Sequence, residues 1–254
     1  MTLGIVSAMQ EELSAVLEQV QARPIDYAGR TFWQGHWGGV PVVAVLSRIG
    51  KVAAATTVTT LLHRFDVNQV VMTGVAGGLA DSVCVGDAVV ADAFVQHDLD
   101  ASPLFPRYEV PLYGVSQFGV DAHLSGLLLQ AAHEALFRAD WRVALSELTE
   151  DTAARDGVRP ARVHRGLVAS GDRFVSSADE SQRLRRELPD ALAVEMEGAA
   201  MAQVCHDHGV PFAGVRLISD RADDTAHVDF LRFIRDVAAP ASAAVMQGLV
   251  QRLG

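Results

Sequence analysis

The chain is short of basic residues, has almost no cysteine and contains no long apolar run. Lys and Arg number 21 against 31 Asp and Glu, for a net charge of −10. The global field therefore repels a nucleic-acid backbone unless a local basic patch overrides it. No such patch is present. The densest basic stretch, Arg183, Arg185 and Arg186, alternates with Glu180 and Glu187 as a solvated helix face does. Two cysteines, Cys84 and Cys205, cannot build a disulfide framework, so a reducing compartment is expected. No segment reaches the roughly 18 uninterrupted apolar residues needed to span a bilayer. The opening Met1-Thr2-Leu3-Gly4-Ile5-Val6 meets Glu11 and Glu12 at once, without the basic start and apolar core of a secretory signal. The expectation is a cytoplasmic protein that engages neither nucleic acid nor membrane.

Several catalytic signatures are also missing. The run Thr73-Gly74-Val75-Ala76-Gly77-Gly78 follows an apolar strand, and glycine there lets a backbone approach a ligand closely. It nevertheless has neither the Gly-x-Gly-x-x-Gly spacing nor the Gly-Lys-Ser/Thr ending that would specify a dinucleotide or nucleoside triphosphate. It reads as a tight turn over 74–78. No Gly-x-Ser-x-Gly elbow anchors a serine nucleophile. Cys205, His206 and His208 lie close in sequence, but neighbouring helical positions point apart, so they do not form a metal site. No metal and no cofactor is expected.

What is present is a globular chain of 254 residues, 50% hydrophobic and 20% charged, long enough to bury one substantial core. Short apolar strands are expected at 3–6, 69–73, 87–95, 166–170, 191–194 and 212–218. Helices are expected at 9–17, 50–64, 122–138, 178–187, 198–208 and about 229–253, the last kinked at Pro240. Residues 25–46 alternate around Gly29, Gly35 and Gly38-Gly39 as an antiparallel meander does. The stretch 98–118, with three prolines and four aromatics, reads as a long ordered loop, and 146–162 as an acidic surface excursion. Strands alternating with helices give the fold class: a single α/β domain over 1–254, with a mixed, mostly parallel sheet flanked by helices on both faces.

The informative chemistry is acidic. Glu195 and Glu197, in Val194-Glu195-Met196-Glu197-Gly198-Ala199-Ala200, sit where an apolar strand gives way to a small-residue helix, and Asp220 ends the strand Phe212–Ile218. Each segment alone fits an ordinary helix cap or turn. Together they place two acidic strand ends where α/β sheets bind ligands. Gly171-Asp172-Arg173-Phe174-Val175 is a third strand end, where a flat base could stack on Phe174 while backbone groups at Val175 read its edge. Cleaving an N-glycosidic bond creates a cationic sugar, a base that must gain a proton and a water that must lose one. Carboxyl groups serve all three demands, and Glu12, Glu197 and Asp220 supply the number.

Five collinear runs carry a resemblance. Gly4-Ile5-Val6-Ser7-Ala8-Met9-Gln10-Glu11-Glu12, Ile49-Gly50-Lys51-Val52-Ala53-Ala54, Thr73–Gly78, Val194–Glu197 and Ile218-Ser219-Asp220 resemble the signature runs of the 5'-methylthioadenosine/S-adenosylhomocysteine nucleosidases, within the wider nucleoside phosphorylase superfamily. The resemblance implies hydrolysis of those nucleosides to adenine and a 5'-thioribose. It implies Asp220 as the acid that protonates adenine, held by Ser219, and Glu12 as the base on the attacking water, aided by Arg216. Glu197 would bind the ribose hydroxyls, with Met196 against the sugar and Glu195 nearby. Ala76 and Gly77 would touch the substrate, Phe174 would stack on the base beside Val175, and Phe230 would close the alkylthio pocket. Phe105, on the long loop, would reach into a partner's pocket, implying a homodimer.

Three departures from the family pattern stand out. Val75 replaces a hydroxyl residue, Arg48 replaces a glycine and keeps an anion-binding reading open, and 139–163 is longer than in compact members. Alternatives remain: a futalosine or other purine nucleoside hydrolase, a phosphate-dependent phosphorylase, and a non-catalytic nucleoside-binding or storage protein.

Overall fold

In a computed structural model of the protein, residues 1–137, 161–222 and 230–254 are described. Ten strands join one mixed sheet: β1 (Leu3–Ser7), β2 (Gln21–Tyr27), β3 (Arg30–Trp37), β4 (Val40–Leu46), β5 (Gln69–Gly78), β6 (Ala88–Gln96), β7 (Gln117–Gly119), β8 (Val163–Ser170), β9 (Ala191–Glu195) and β10 (Phe212–Asp220). The helices among the described residues are α1 (Gln10–Leu17), α2 (Lys51–Phe65), α3 (Ala122–Phe137), α4 (Ala178–Glu187), α5 (Gly198–His208) and α6 (Ala239–Leu253). A helical turn at Phe230–Phe233 and a π-helical turn at Ile234–Ala238 lead into α6. This π turn lies just before Pro240, the position of the expected kink. Proline lacks the N–H that would bond back to residue 236, and the wider turn absorbs the missing bond.

Strand side chains alternate between two cores, as the two-residue period requires. On β4, Val42 and Ala44 face one core while Val43 and Val45 face the other. The first core is covered by α1, α3 and α6, through Leu13, Leu128 and Met246. The second is covered by α2 and α5, through Leu61 and Met201. The small residues opening α5 have a packing reason. A β-carbon on Gly198 would lie 2.2 Å from the Phe94 ring, so only glycine lets the helix start sit against β6. No described helix is long and apolar enough to cross a membrane.

The sheet also closes on itself. β5 pairs with β10, β10 with β6, β6 with β8, β8 with β9, and β9 back with β5. At the closure Gly77 is registered with Val194 on one side and Asp220 on the other. The ends of β5, β9 and β10 therefore meet at one point. This corrects the expected turn at 74–78: the glycine run is the second half of β5, held extended by pairing with β10 from Gly74 to Gly77 and with β9 at Gly77 and Gly78. The meander appears as β2, β3 and β4, antiparallel and in sequence order. Most of the expected excursion at 146–162 lies outside the described residues.

Candidate active site

The convergence of strand ends opens a cavity, and Glu12, Glu197 and Asp220 all line it. So do Ala76, Gly77, Phe174, Val175, Glu195, Met196, Arg216 and Ser219. The two remaining expected residues do not enter it here. Phe105 is half-buried on its own chain and is absent from the lining. The Phe230 side chain lies outside the described residues.

Glu12 is placed by the start of α1. Its Oε2 accepts the backbone N–H of Met9 at 3.1 Å, the reach-back of a third-position glutamate in a helix cap. Its Oε1 accepts the Val75 N–H at 3.0 Å from β5. The side chain is buried, and burial pushes its pKa upward, partly offset by the charge of Arg216 and by these backbone donors. Gly74 makes the approach possible. A β-carbon there would sit 2.5 Å from Arg216 Nη1 and 2.8 Å and 2.9 Å from the two Glu12 oxygens.

Glu197 and Arg216 meet across the cavity floor. Arg216 Nη2 donates to Glu197 Oε2 at 3.1 Å, and Gly50 donates its backbone N–H to Glu197 Oε1 at 2.9 Å from the start of α2. Burial pushes the Glu197 pKa up to about 7, reinforced by the charge of Glu195 and opposed by Arg216 and Gly50. Arg216 also pairs with Glu195. Asp220 is fixed from both sides: Ser219 Oγ donates to Oδ2 at 2.7 Å, and the Ala222 N–H donates to Oδ1 at 2.7 Å. Phe174 stands half-exposed at the mouth. An aromatic face beside a fixed carboxylate suits a flat base that must gain a proton.

Arg48 does not serve as an anion site. Its Nη2 donates to the Gly29 carbonyl at 2.6 Å, and the residue is exposed and absent from the cavity lining. Its positive φ of 67° turns the side chain toward the β2–β3 turn. Val75 lines the cavity, but through an apolar side chain. Sequence reasoning assigned no role to Met9, Ile49 and Arg173, which also line it. Ile49 was signalled only by its place beside Gly50, and Arg173 by its place before Phe174. Among the described residues no cluster of three or more His, Cys, Asp or Glu could hold a metal ion.

Residues 2–251 match the family model of the Phosphorylase superfamily. A 5'-methylthioadenosine/S-adenosylhomocysteine nucleosidase from Helicobacter pylori, solved with butyl-thio-DADMe-Immucillin-A, is 32% identical with a TM-score of 0.83, over 99% of this chain and 98% of its own. The corresponding nucleosidase from S. pneumoniae, solved with the transition-state inhibitor MT-ImmA, is 31% identical with a TM-score of 0.84, over 100% of both chains. A futalosine hydrolase of Helicobacter pylori strain 26695 is 31% identical with a TM-score of 0.83, over 99% of this chain and 98% of its own. A full-length family match and relatives above 30% identity over nearly every residue agree with the acidic cavity, and this chain belongs to the phosphorylase superfamily, among its 5'-methylthioadenosine/S-adenosylhomocysteine nucleosidases.

Proposed function

We propose that the protein hydrolyses the N-glycosidic bond of 5'-methylthioadenosine and S-adenosylhomocysteine, releasing adenine and the 5'-thioribose. The observation that carries this reading is the convergence of Glu12, Glu197 and Asp220 on one cavity. Asp220, oriented by Ser219, donates a proton to the departing adenine. Glu12 takes a proton from the attacking water. Glu197 accepts hydrogen bonds from the ribose hydroxyls, and its negative charge stabilises the oxocarbenium-like sugar as the bond breaks. Arg216 keeps the two glutamates apart and partly neutralised.

Water suits this site better than phosphate. A phosphorylase must hold an anion, but Arg216 is already engaged by Glu195 and Glu197, Arg48 points away, and Glu12 would repel the anion. A binding or storage role has no use for a buried carboxylate that can serve as a base. The deciding experiment is Asp220→Asn. Turnover of methylthioadenosine is expected to fall about 100- to 10,000-fold, the usual share of general-acid catalysis, while the nucleoside still binds. Unchanged turnover removes the mechanism.

Futalosine is the second reading, supported by the relative of that name. A substrate panel separates the two. We also propose a homodimer. Ile49, Val52, Leu104 and Leu112 are 58%, 77%, 84% and 91% exposed, an apolar display of the kind that partners cover. In a dimer of the kind the family resemblance implies, Phe105 would reach the other cavity. Light scattering should give twice the 27.2 kDa of the chain; a mass near 27.2 kDa would contradict it.

A further inference from the structure

Glu195 lines the cavity, yet its oxygens face donors of the protein itself. Oε1 accepts the Ser170 hydroxyl and the Gly198 N–H at 2.9 Å. Oε2 accepts the N–H groups of Glu197 and Gly198, each at 3.0 Å, and Nη2 of Arg216. Ser170 Oγ in turn accepts the Ala199 N–H at 2.8 Å, so hydroxyl and carboxylate together cap the exposed donors at the start of α5. A carboxylate offers about four lone-pair sites, and these donors occupy them. A sugar hydroxyl finds no acceptor left on Glu195.

The captured guanidinium is the consequence. The nitrogen that Glu195 holds is the one that donates to Glu197 at 3.1 Å. The other terminal nitrogen, Nη1, and the Glu12 carboxylate crowd the same space over Gly74. We infer that Glu195 is a positioning residue and not a ligand for the nucleoside: locked with Ser170 at the start of α5, it fixes Arg216 so that one guanidinium spans Glu12 and Glu197. This rests on the nucleosidase reading above. It also assigns Ser170, wholly buried and outside the cavity lining, to the same task.

The test is steady-state kinetics and a pH–rate profile for Glu195→Gln, with Ser170→Ala as the second variant. Glu197 is faced by Glu195 from β9, Arg216 from β10 and the Gly50 N–H from α2, with Lys51, Asp98 and Asp172 linked one step further out. Removing the Glu195 charge removes a like charge beside Glu197 while Arg216 still faces it, so the acid limb of activity should move to lower pH. In both variants kcat should fall about 10- to 100-fold, the scale of a small misplacement of catalytic groups, with KM near the wild-type value. Three results would overturn the inference. These are a rise in KM at unchanged kcat, which marks a direct ligand; unchanged kinetics; and, in Glu195→Gln, an acid limb that stays in place while only thermal stability drops. If Glu195→Gln does not fold, Ser170→Ala carries the kcat-against-KM test. A wild-type protein that releases no adenine overturns the nucleosidase reading and this inference with it. The variants, measured against an active wild type, fail separately.

Discussion

Gly50 and Glu197 lie 147 residues apart in the chain, and the backbone N–H of the first donates to Oε1 of the second at 2.9 Å. The contact puts the proposed ribose-binding carboxylate at the positive end of α2, where a negative charge is favoured by the helix dipole. It also gives a loop glycine a direct part in orienting a site residue.

Substitution at Gly50 should therefore cost activity as well as stability. Its φ is 100°, and a β-carbon would lie 3.1 Å from Asp172 Oδ1. Gly50→Ala is expected to destabilise the protein by about 1–3 kcal/mol, the cost of placing a side chain in a backbone region that essentially only glycine adopts. It should also lower kcat/KM more than a matched surface alanine does. Thermal melts and initial rates check both; wild-type kcat/KM would contradict the account.

Gly74→Ala should be more damaging to catalysis than to folding. Its β-carbon would displace Arg216 Nη1 and the Glu12 carboxylate together, and misplacing reacting groups by about 1 Å can cost 100-fold in rate. The expected result is a fall in kcat of that order, measured by adenine release.

The pH dependence has a defined sign. In the proposed mechanism Glu197 acts as a carboxylate, and burial pushes its pKa up to about 7, above the ordinary glutamate range. Activity should rise with pH through about 7. Stability of the ligand-free protein runs the other way. Between about 4.5 and 7 the folded state holds a proton that the unfolded state has released, so the Glu197 contribution weakens as pH rises across that window. A kcat/KM that is flat from pH 5.5 to 8 would contradict the assignment.

Phe174 offers an aromatic face at the cavity mouth. Base–aromatic stacking is worth about 1–3 kcal/mol, so Phe174→Ala should raise KM about 5- to 150-fold, with a smaller change in kcat. Titration with a non-hydrolysable adenine nucleoside checks the binding loss.

What could be read from the sequence was set by local forces. Helices α4 and α5 fall at 178–187 and 198–208 as expected because their ends are written in the chain. Ser177 Oγ accepts the Glu180 N–H at 3.3 Å to open α4, and Gly209, at φ 62°, closes α5. The acidic strand ends were legible for the same reason. Closure of the sheet was not, since Gly77 meets Val194 and Asp220 only through long-range pairing. That pairing also turned an expected glycine turn into strand. The supporting roles of Gly50 and Ser170 depend on partners 147 and 25 residues away in sequence. Choosing between Arg48 and Arg216 required knowing that one sits in a surface turn and the other on a strand facing two carboxylates.

On the proposed mechanism, three acidic side chains make water the attacking group at a nucleoside. Chromatography of the products from 5'-methylthioadenosine, with and without phosphate, tests it most directly. Adenine and free methylthioribose are expected at an undiminished rate in phosphate-free buffer. A requirement for phosphate, with methylthioribose 1-phosphate as the product, would contradict it.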